Sequence, residues 1–395
     1  VPAPAPESLK IAVASSGLGH IRRGVETWAD DLGAALRRRG LHATTFQGSR
    51  SPGMPADSPN VVIPCLKRFA PDTERLARAL SRVGGWRFHM GSGYEIEQTT
   101  FALNLWRRIG RSWDILHVQD PIVAQIFESL RRSRLCRPRV ILGHGTEEDT
   151  PSLQKLSFLQ HLAPNYLADW EPHRPARQLS FAVPNFVDTE RFSPPADAAA
   201  KHAARATLGL SPDTLIFLSV GALKKHHKRV DYLMHEFAAW RALNPGIDAR
   251  LVVLGAREKE TDEILALRDQ LDPQGITLIE NLPRERVLTY LQAADVFTLA
   301  SLHEMMPIAV LEALACGLPA ACNADPTLLW MVGDAGTLCD ISEPGGLATQ
   351  FSRLASPAER AIRSHAARTR AHELFSEEAV VNQVLAMYQQ VMAHR

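Results

Sequence analysis

The chain has 395 residues, 45% of them apolar and 22% charged, with a formal net charge of +1. That length exceeds what one hydrophobic core usually serves, so two domains are expected. The even charge balance and the lack of any binding module argue against a nucleic-acid partner.

The opening VPAPAPESLK has neither a basic nor an apolar region of signal-peptide type and reads as a loose lead-in. A strand is predicted at 10–16 (KIAVASS), then GLGH, then an amphipathic helix over 24–39 that Gly40 ends. With a second strand at 41–47 this makes a βαβ unit and points to a parallel sheet covered by helices. Further strands are predicted at 60–64, 114–118, 139–143, 161–163 and 180–183, with helices in several gaps. The stretch 50–59 is a loop rich in proline, glycine and serine, and 84–94 is expected to be mobile. A turn-rich and then alanine-rich boundary falls near 184–200. A second series follows: strand 214–220, helix 229–240, strand 250–255, helix 261–270, strand 276–280, helix 284–293, strand 295–299 and helix 307–316. Short strands near 319–321 and 336–338 close it, and an amphipathic helix fills about 376–393. The fold class is therefore α/β, with domains at 1–188 and 189–375. Two such domains would face each other across a cleft, a common ligand site. Pattern alone does not assign the last helix, about 376–395, to either domain.

Two stretches carry the most chemistry. The first is SLHEMMPIAVLEALACGLPA, 301–320, after the apolar strand VFTLA. Pro307 suits the first helical turn, and Gly317 with Pro319 suits the stop. Glu304 then lies in the loop before the helix and Glu312 inside it. The loop leaves the carboxyl end of a parallel strand, where open α/β sheets bind ligands, and first-turn amides can hold a phosphate. Carboxylates there can accept hydrogen bonds from sugar hydroxyls, each worth about 1.5–3 kcal/mol. The bland alternative is a solvated helix start carrying two ordinary acids.

The second stretch is SVGALKKHHKRVDYLMHEF, 219–237. Gly221 permits a tight turn beside a ligand. Lys224, Lys225, Lys228 and Arg229 follow within a few residues, at a helix start where cations are unfavourable, so an anion is expected there.

Other candidates lie in the first half. Gly17 and Gly19 of SSGLGHIRRGVE allow close backbone approach, and His20, Arg22 and Arg23 can reach a ligand or be merely solvated. His144, between two glycines at a strand end, can move a proton or be a buried histidine bonded to backbone. His117 also ends a strand. Asp120 is a weaker acceptor-side candidate, and Tyr94, Glu95 and Gln98 either meet an acceptor or cap a helix. The runs 129–139 and Arg37 to Arg39 can face an anionic surface or be a solvated face. Glu147, Glu148 and Asp149 resemble metal-ligand composition, but no second acidic cluster supports them. The cysteines, Cys65, Cys136, Cys316, Cys322 and Cys339, include no close pair, which fits a reducing compartment without disulfides or structural zinc. No run reaches about 18 apolar residues. A cytoplasmic protein is expected.

The strand, E-x7-E, helix and ACGLP resemble the donor-binding segment of the retaining glycosyltransferases of family 4, which share the GT-B fold. VPNFVDTERFSP (183–194), GDAGTLCD (333–340), LKIAVASSGLGH and FSEEAVVNQVLAMYQQV fit the same family, so the resemblance covers nearly the whole chain. It implies two Rossmann-like domains and transfer of a sugar, with retention, from a nucleoside-diphosphate sugar to a hydroxyl acceptor. A UDP-sugar is the first choice of donor and a GDP-sugar the second. It further implies that Glu312 binds the donor ribose and Glu304 the donor sugar, with the amides of Met305 and Met306 near the sugar and distal phosphate. Met306 packing inward is the alternative. Lys228 matches the lysine of the diphosphate clamp, but Ala222 stands where the family has arginine, and Lys224 or Lys225 would have to replace it. Gly17 and Gly19 would lie under the phosphates, and His144 near the donor sugar. No metal and no cofactor are implied. The acceptor can be lipid-linked, with peripheral membrane contact at the inner face. A nucleotide-sugar-binding protein with weak or no transferase activity is the alternative, and Ala222 is its best support.

Overall fold

The computed structural model describes residues 8–21, 24–51, 54–55, 57–145 and 148–394. It divides into two compact units, one up to Asn185 together with Val380 onward, the other Phe186–Ala379.

The first unit runs β1 (Lys10–Ser15), α1 (Gly24–Arg38), β2 (His42–Gln47), β3 (Val61–Val62), α2 (Pro71–Arg82), α3 (Gly93–Ile109), β4 (Ile115–Val118), α4 (Pro121–Arg132), β5 (Arg139–His144), α5 (Thr150–Gln154), β6 (Phe158–His161), α6 (Pro164–Trp170) and β7 (Leu179–Ala182). Its sheet is parallel, in the order β3-β2-β1-β4-β5-β6-β7. β1 is buried from Ile11 to Ser15 and β4 throughout, as strands covered by helices on both faces must be.

The second unit runs α7 (Ala198–Thr207), β8 (Leu215–Val220), α8 (Val230–Leu243), β9 (Ala249–Gly255), α9 (Thr261–Leu271), β10 (Ile276–Glu280), α10 (Arg284–Ala293), β11 (Val296–Leu299), α11 (Ile308–Ala315), β12 (Ala320–Asn323), α12 (Pro326–Val332), β13 (Gly336–Cys339), α13 (Gly346–Leu354) and α14 (Pro357–Phe375), then enters α15 (Glu377–Ala393). Its parallel sheet has the order β10-β9-β8-β11-β12-β13. Phe217 of β8 anchors the core, with ring centroids 4.8 Å from Phe351 and 5.3 Å from Trp240.

In both sheets the strand order reverses beside the first strand of the series. The reversal lies between β1 and β4 in one unit and between β8 and β11 in the other. Ligands of open α/β sheets bind outside the carboxyl ends of the strands at such a point.

Most of α15 belongs to the first unit. Arg139 donates to the carbonyls of Val391 (2.5 Å) and His394 at its end. Inside the sheet, His117 Nε2 donates to Gln160 Oε1 (2.6 Å), which leaves Nδ1 to accept the hydroxyl of Tyr388 on α15 (2.8 Å). Full burial pushes the His117 pKa down to about 3, so the ring is neutral and structural.

Some expected boundaries move. The strand expected at 161–163 is β6, shifted toward the N-terminus because buried Gln160 is satisfied by His117 and by the carbonyl of Val183 (2.7 Å). The strand expected over 60–64 shortens to β3, next to Pro64, which has no ladder donor. Pro307 has extended backbone (φ −73°, ψ 113°) and precedes α11 as its N-cap instead of entering the first turn. The region expected to be mobile holds a helical turn, Gly85–Phe88, and a capping box in which Ser92 accepts from the Glu95 amide (3.2 Å).

Candidate functional site

The loops after β8 and β11 leave adjacent strands at the reversal of the second sheet, and they are laced together. His227 Nε2 donates to the carbonyl of His303 (2.7 Å), and the Leu302 amide donates to the carbonyl of His227 (3.3 Å). Lys228 Nζ donates to Glu304 Oε1. Glu304 and Glu312 are buried to the same extent, each 6% exposed. Glu312 lies within α11, and Arg284 at the start of α10 stands 3.5 Å from its carboxylate. Met306 is buried and packs inward, while Met305 is half-buried.

The β8–α8 loop holds two non-glycine residues in the left-handed region, His227 (φ 63°) and Arg229 (φ 46°). Such conformations persist only where surroundings impose them, and they cluster at binding sites. Gly221 has open space around it, since a Cβ there would meet nothing closer than the Lys228 side chain at 3.8 Å. Packing within this unit therefore does not require glycine at that position.

The cations of 224–229 do not converge. Lys224 lies 3.6 Å from Glu258, and Lys225 pairs with Glu263 on α9. Arg229 donates to the carbonyl of Ile341 (2.6 Å) and stacks over Tyr232 at 4.1 Å. Lys224 and Lys225, the two candidates to fill in for the arginine missing at Ala222, are paired here with Glu258 and Glu263. Lys228 alone of these four is paired with Glu304.

The loop before α11 has a second anchor. His303 Nδ1 donates to Asp325 Oδ2 (3.0 Å), and Asp325 Oδ1 caps α12 through the amides of Thr327 (2.9 Å) and Leu328 (3.4 Å). Asn323 Nδ2 donates to the carbonyl of Leu302 (2.7 Å). Sequence reasoning passed over His303, Asn323, Asp325 and Arg284. Only His303 lay inside a recognised motif, and none showed a partner at helical or strand spacing.

The first unit has its own polar cluster at its sheet reversal. The Ser16 amide, just after β1, donates to Asp120 Oδ2 (2.5 Å), just after β4. Complete burial pushes the Asp120 carboxyl up to about 6 against that hydrogen bond. Glu97 accepts from His20 Nε2 (2.8 Å) and from Arg68 Nε (2.6 Å). Burial would raise its pKa, but these hydrogen bonds outweigh burial and hold it below the usual range. Arg68 also covers the Tyr94 ring at 4.8 Å, and burial pushes the Tyr94 phenol well up.

Gly17 and Gly19 are needed for packing inside this unit. A Cβ on Gly17 would meet the Glu26 carboxylate at 2.5 Å, and one on Gly19 (φ 99°) the carbonyl of Ser49 at 1.9 Å. Gln98 Oε1 accepts from the Ile122 amide (2.9 Å) at the start of α4, and Glu95 belongs to the capping box, so both have structural work. His144 ends β5, half-buried, its ring edge-on to His161 at 5.5 Å. Asp149 caps α5. Arg22, Arg23 and Glu147 lie outside the described residues. The arginines of 129–139 are largely engaged: Arg131 and Arg132 with Glu128 (3.0 and 3.2 Å), and Arg137 with Asp114 (2.7 Å). All five cysteines are free thiols. No helix among the described residues is long and apolar enough to cross a membrane.

Two doubly wound parallel domains with motif loops at the strand-order reversal define the GT-B fold, and solved structures agree. Sucrose-phosphate synthase from Thermosynechococcus elongatus superposes with a TM-score of 0.75 at 20% identity, over 98% of this chain and 100% of that one. Anabaena HepE, in complex with UDP and glucose, gives 0.68 at 13% identity, over 96% and 98%. Residues 214–356 match the family described as glycosyl transferases group 1. Relatives of the chain include D-inositol 3-phosphate glycosyltransferase of Acidothermus cellulolyticus, 29% identical over 54% of this chain and 48% of that protein. They also include N-acetyl-alpha-D-glucosaminyl L-malate synthase of Bacillus anthracis, 27% identical over 47% and 48%. The chain thus spans about half the length of the curated relatives it matches.

Proposed function

We propose that this protein is a retaining glycosyltransferase that moves a sugar from a nucleoside-diphosphate sugar to a hydroxyl acceptor. The observation that carries the reading is the Lys228–Glu304 pair at the reversal of the second sheet, with Glu312 buried beyond it on α11. Glu312 accepts the ribose hydroxyls of the donor and Glu304 those of the donor sugar. The ammonium of Lys228 has three donors, so it can hold Glu304 and a diphosphate oxygen together. Amides of Met305, Met306 and the α11 start supply further donors. UDP is the favoured nucleotide, a choice that the HepE complex with UDP supports, and GDP is second.

The acceptor oxygen bonds to the anomeric carbon on the face the diphosphate leaves. The carbon–phosphate-oxygen bond breaks with its electron pair going to the diphosphate, and the acceptor proton passes to a departing phosphate oxygen. Lys228 stabilises the charge that develops there, in the role a metal ion has in other transferases. His144 of the first unit is proposed to donate a hydrogen bond to a donor-sugar oxygen, and the first unit's sheet-reversal cluster, with His20, Tyr94 and Asp120, is the proposed acceptor side. The acceptor class includes lipid-linked hydroxyls, and the free thiols support a cytoplasmic location.

Ala222 favours one other reading, a nucleotide-sugar binder that does not transfer. Incubation with UDP-, GDP-, ADP- and dTDP-sugars, followed by mass spectrometry of nucleotide and glycoside products, separates the two. Donor cleavage and transfer support the enzyme, binding without cleavage supports the binder, and no binding by any donor removes both.

A further inference from the structure

The segment 66–88 of the first unit concentrates exposed apolar side chains. Phe69 is 68% exposed, Val83 79%, Trp86 59% and Phe88 75%, with Leu66 at 43%. Single exposed apolar residues are ordinary, whereas a group of them marks an interaction surface.

Two members of the group, Phe69 and Trp86, also meet at one recess. Phe69, Arg78, Arg82 and Tyr94 line one surface recess of about 710 Å³. Gly91, on the same rim, lies so close to Trp86 that a Cβ there would come within 2.9 Å of it. Val83 ends α2, and Phe88 ends the helical turn that follows. Phe69 holds a left-handed backbone (φ 68°) with its ring in solvent. A bulky residue in that conformation is a true outlier, and here it gains no burial in return.

The charge around these side chains is one-sided. Lys67, Arg75, Arg78, Arg82 and Arg87 are all exposed. Against them the same stretch has Asp72, paired with Arg75 at 2.7 Å, and Glu74. This local excess of cations occurs in a chain whose formal net charge is only +1. Arg87 stacks over Trp86 at 5.1 Å, so cation and aromatic ring share one spot.

We propose that this face docks on an anionic lipid membrane. Phe69, Val83, Trp86 and Phe88 enter the boundary between headgroups and acyl chains, and the arginines stay at the level of the lipid phosphates. Interleaved aromatic and cationic side chains match that layered environment, while a second copy of the same cationic face would be repelled. The surface is distinct from the 129–139 run, whose arginines are engaged within the unit. The inference does not depend on the chemistry proposed for Lys228 and Glu304.

Flotation of the full chain with phosphatidylcholine vesicles, with and without phosphatidylglycerol, tests it. The chain is expected to float with the anionic vesicles only, and less at high salt. Trp86→Ser with Phe88→Ser, and separately Arg78→Glu with Arg82→Glu, each weaken binding about tenfold or more. Ile362→Ser, at a side chain 69% exposed in the other unit, leaves it unchanged. Brominated lipid quenches tryptophan fluorescence of the natural chain and quenches Trp86→Phe less. Three results overturn the proposal: no flotation with any vesicle, undiminished flotation of both double variants, or sedimentation showing that Trp86→Ser with Phe88→Ser converts a dimer to a monomer.

Discussion

Lys228 donates its ammonium to Glu304 across two loops that leave neighbouring strands, β8 and β11, of one sheet. The side chains are 19% and 7% exposed, so the pair is largely withdrawn from water. Left-handed backbone at His227 and Arg229 shapes one loop, and the His303–Asp325 hydrogen bond anchors the other. The pair holds a carboxylate and a cation side by side, where one can meet sugar hydroxyls and the other a phosphate.

Lys228→Met is expected to lower turnover by about 10²–10³, the scale of losing one preorganised charge-stabilising group. Glu304→Gln lowers it as well. Because the two act together, the double variant should lose less than the product of the single losses. Steady-state rates on the donor identified by the screen measure this, and strictly multiplicative losses would show that the pair is not a functional unit.

Gly221→Ala separates packing from ligand approach. The protein has room for the methyl group, so the melting temperature should stay within about 2 °C of the parent, the shift expected of a change under ~0.5 kcal/mol. The donor KM should rise several-fold, since backbone without a side chain is what a diphosphate needs there. An unchanged KM means that the donor does not pass this position.

Much of this was legible in sequence. β8, β11 and α11 announced themselves as apolar runs ended by glycine and proline, and the spacing of Glu304 and Glu312 placed both at one strand end. What sequence left out was how charges pair over distance. Four cations in 224–229 read as one anion site; the structure adds that Lys224 and Lys225 are paired with Glu258 and Glu263, on the next βα connection and helix. Gly17 and Gly19 read as openings for a ligand, and sequence did not show that Glu26 and Ser49 fill the space a side chain would take. The His303–Asp325 contact spans 22 positions and follows neither a helical nor a strand period, so no local pattern could reveal it.

Asp120→Asn should change the pH dependence of stability. The Asp120 carboxyl is raised from 3.8 to about 6 by burial. A raised carboxyl favours the fold below its unfolded pKa, and that contribution is lost as pH rises through about 6. Asparagine removes the cost of burying the charge. The variant's stability relative to the parent should therefore improve by about 2 kcal/mol from pH 4.5 to pH 7.5. Urea unfolding at the two pH values measures this, and a pH-independent difference would contradict the assignment.

His161→Phe tests the opposite sign. Burial, with His144 adding to it, pushes the His161 pKa down to about 3 from 6.5. Its neutral ring supports the fold above pH 6.5, and that support fades as pH falls toward 3. Neither ring nitrogen has a hydrogen-bond partner among the described residues, so phenylalanine loses no bond seen there. The variant should resist acid better, by about 2–3 kcal/mol at pH 4.5 relative to neutral pH. An acid-unfolding midpoint identical to the parent's would mean that His161 is not what makes the first unit acid-sensitive.

Glu312→Gln tests most directly whether the second unit holds the donor through carboxylates at its sheet reversal. Glu312 is buried on α11 beside Arg284, and glutamine keeps its size while removing its charge. Equilibrium titration of parent and variant with the donor sugar nucleotide should show affinity falling about 10- to 100-fold, the loss of one or two charge-assisted hydrogen bonds to ribose. Equal affinity in the two proteins would contradict the account.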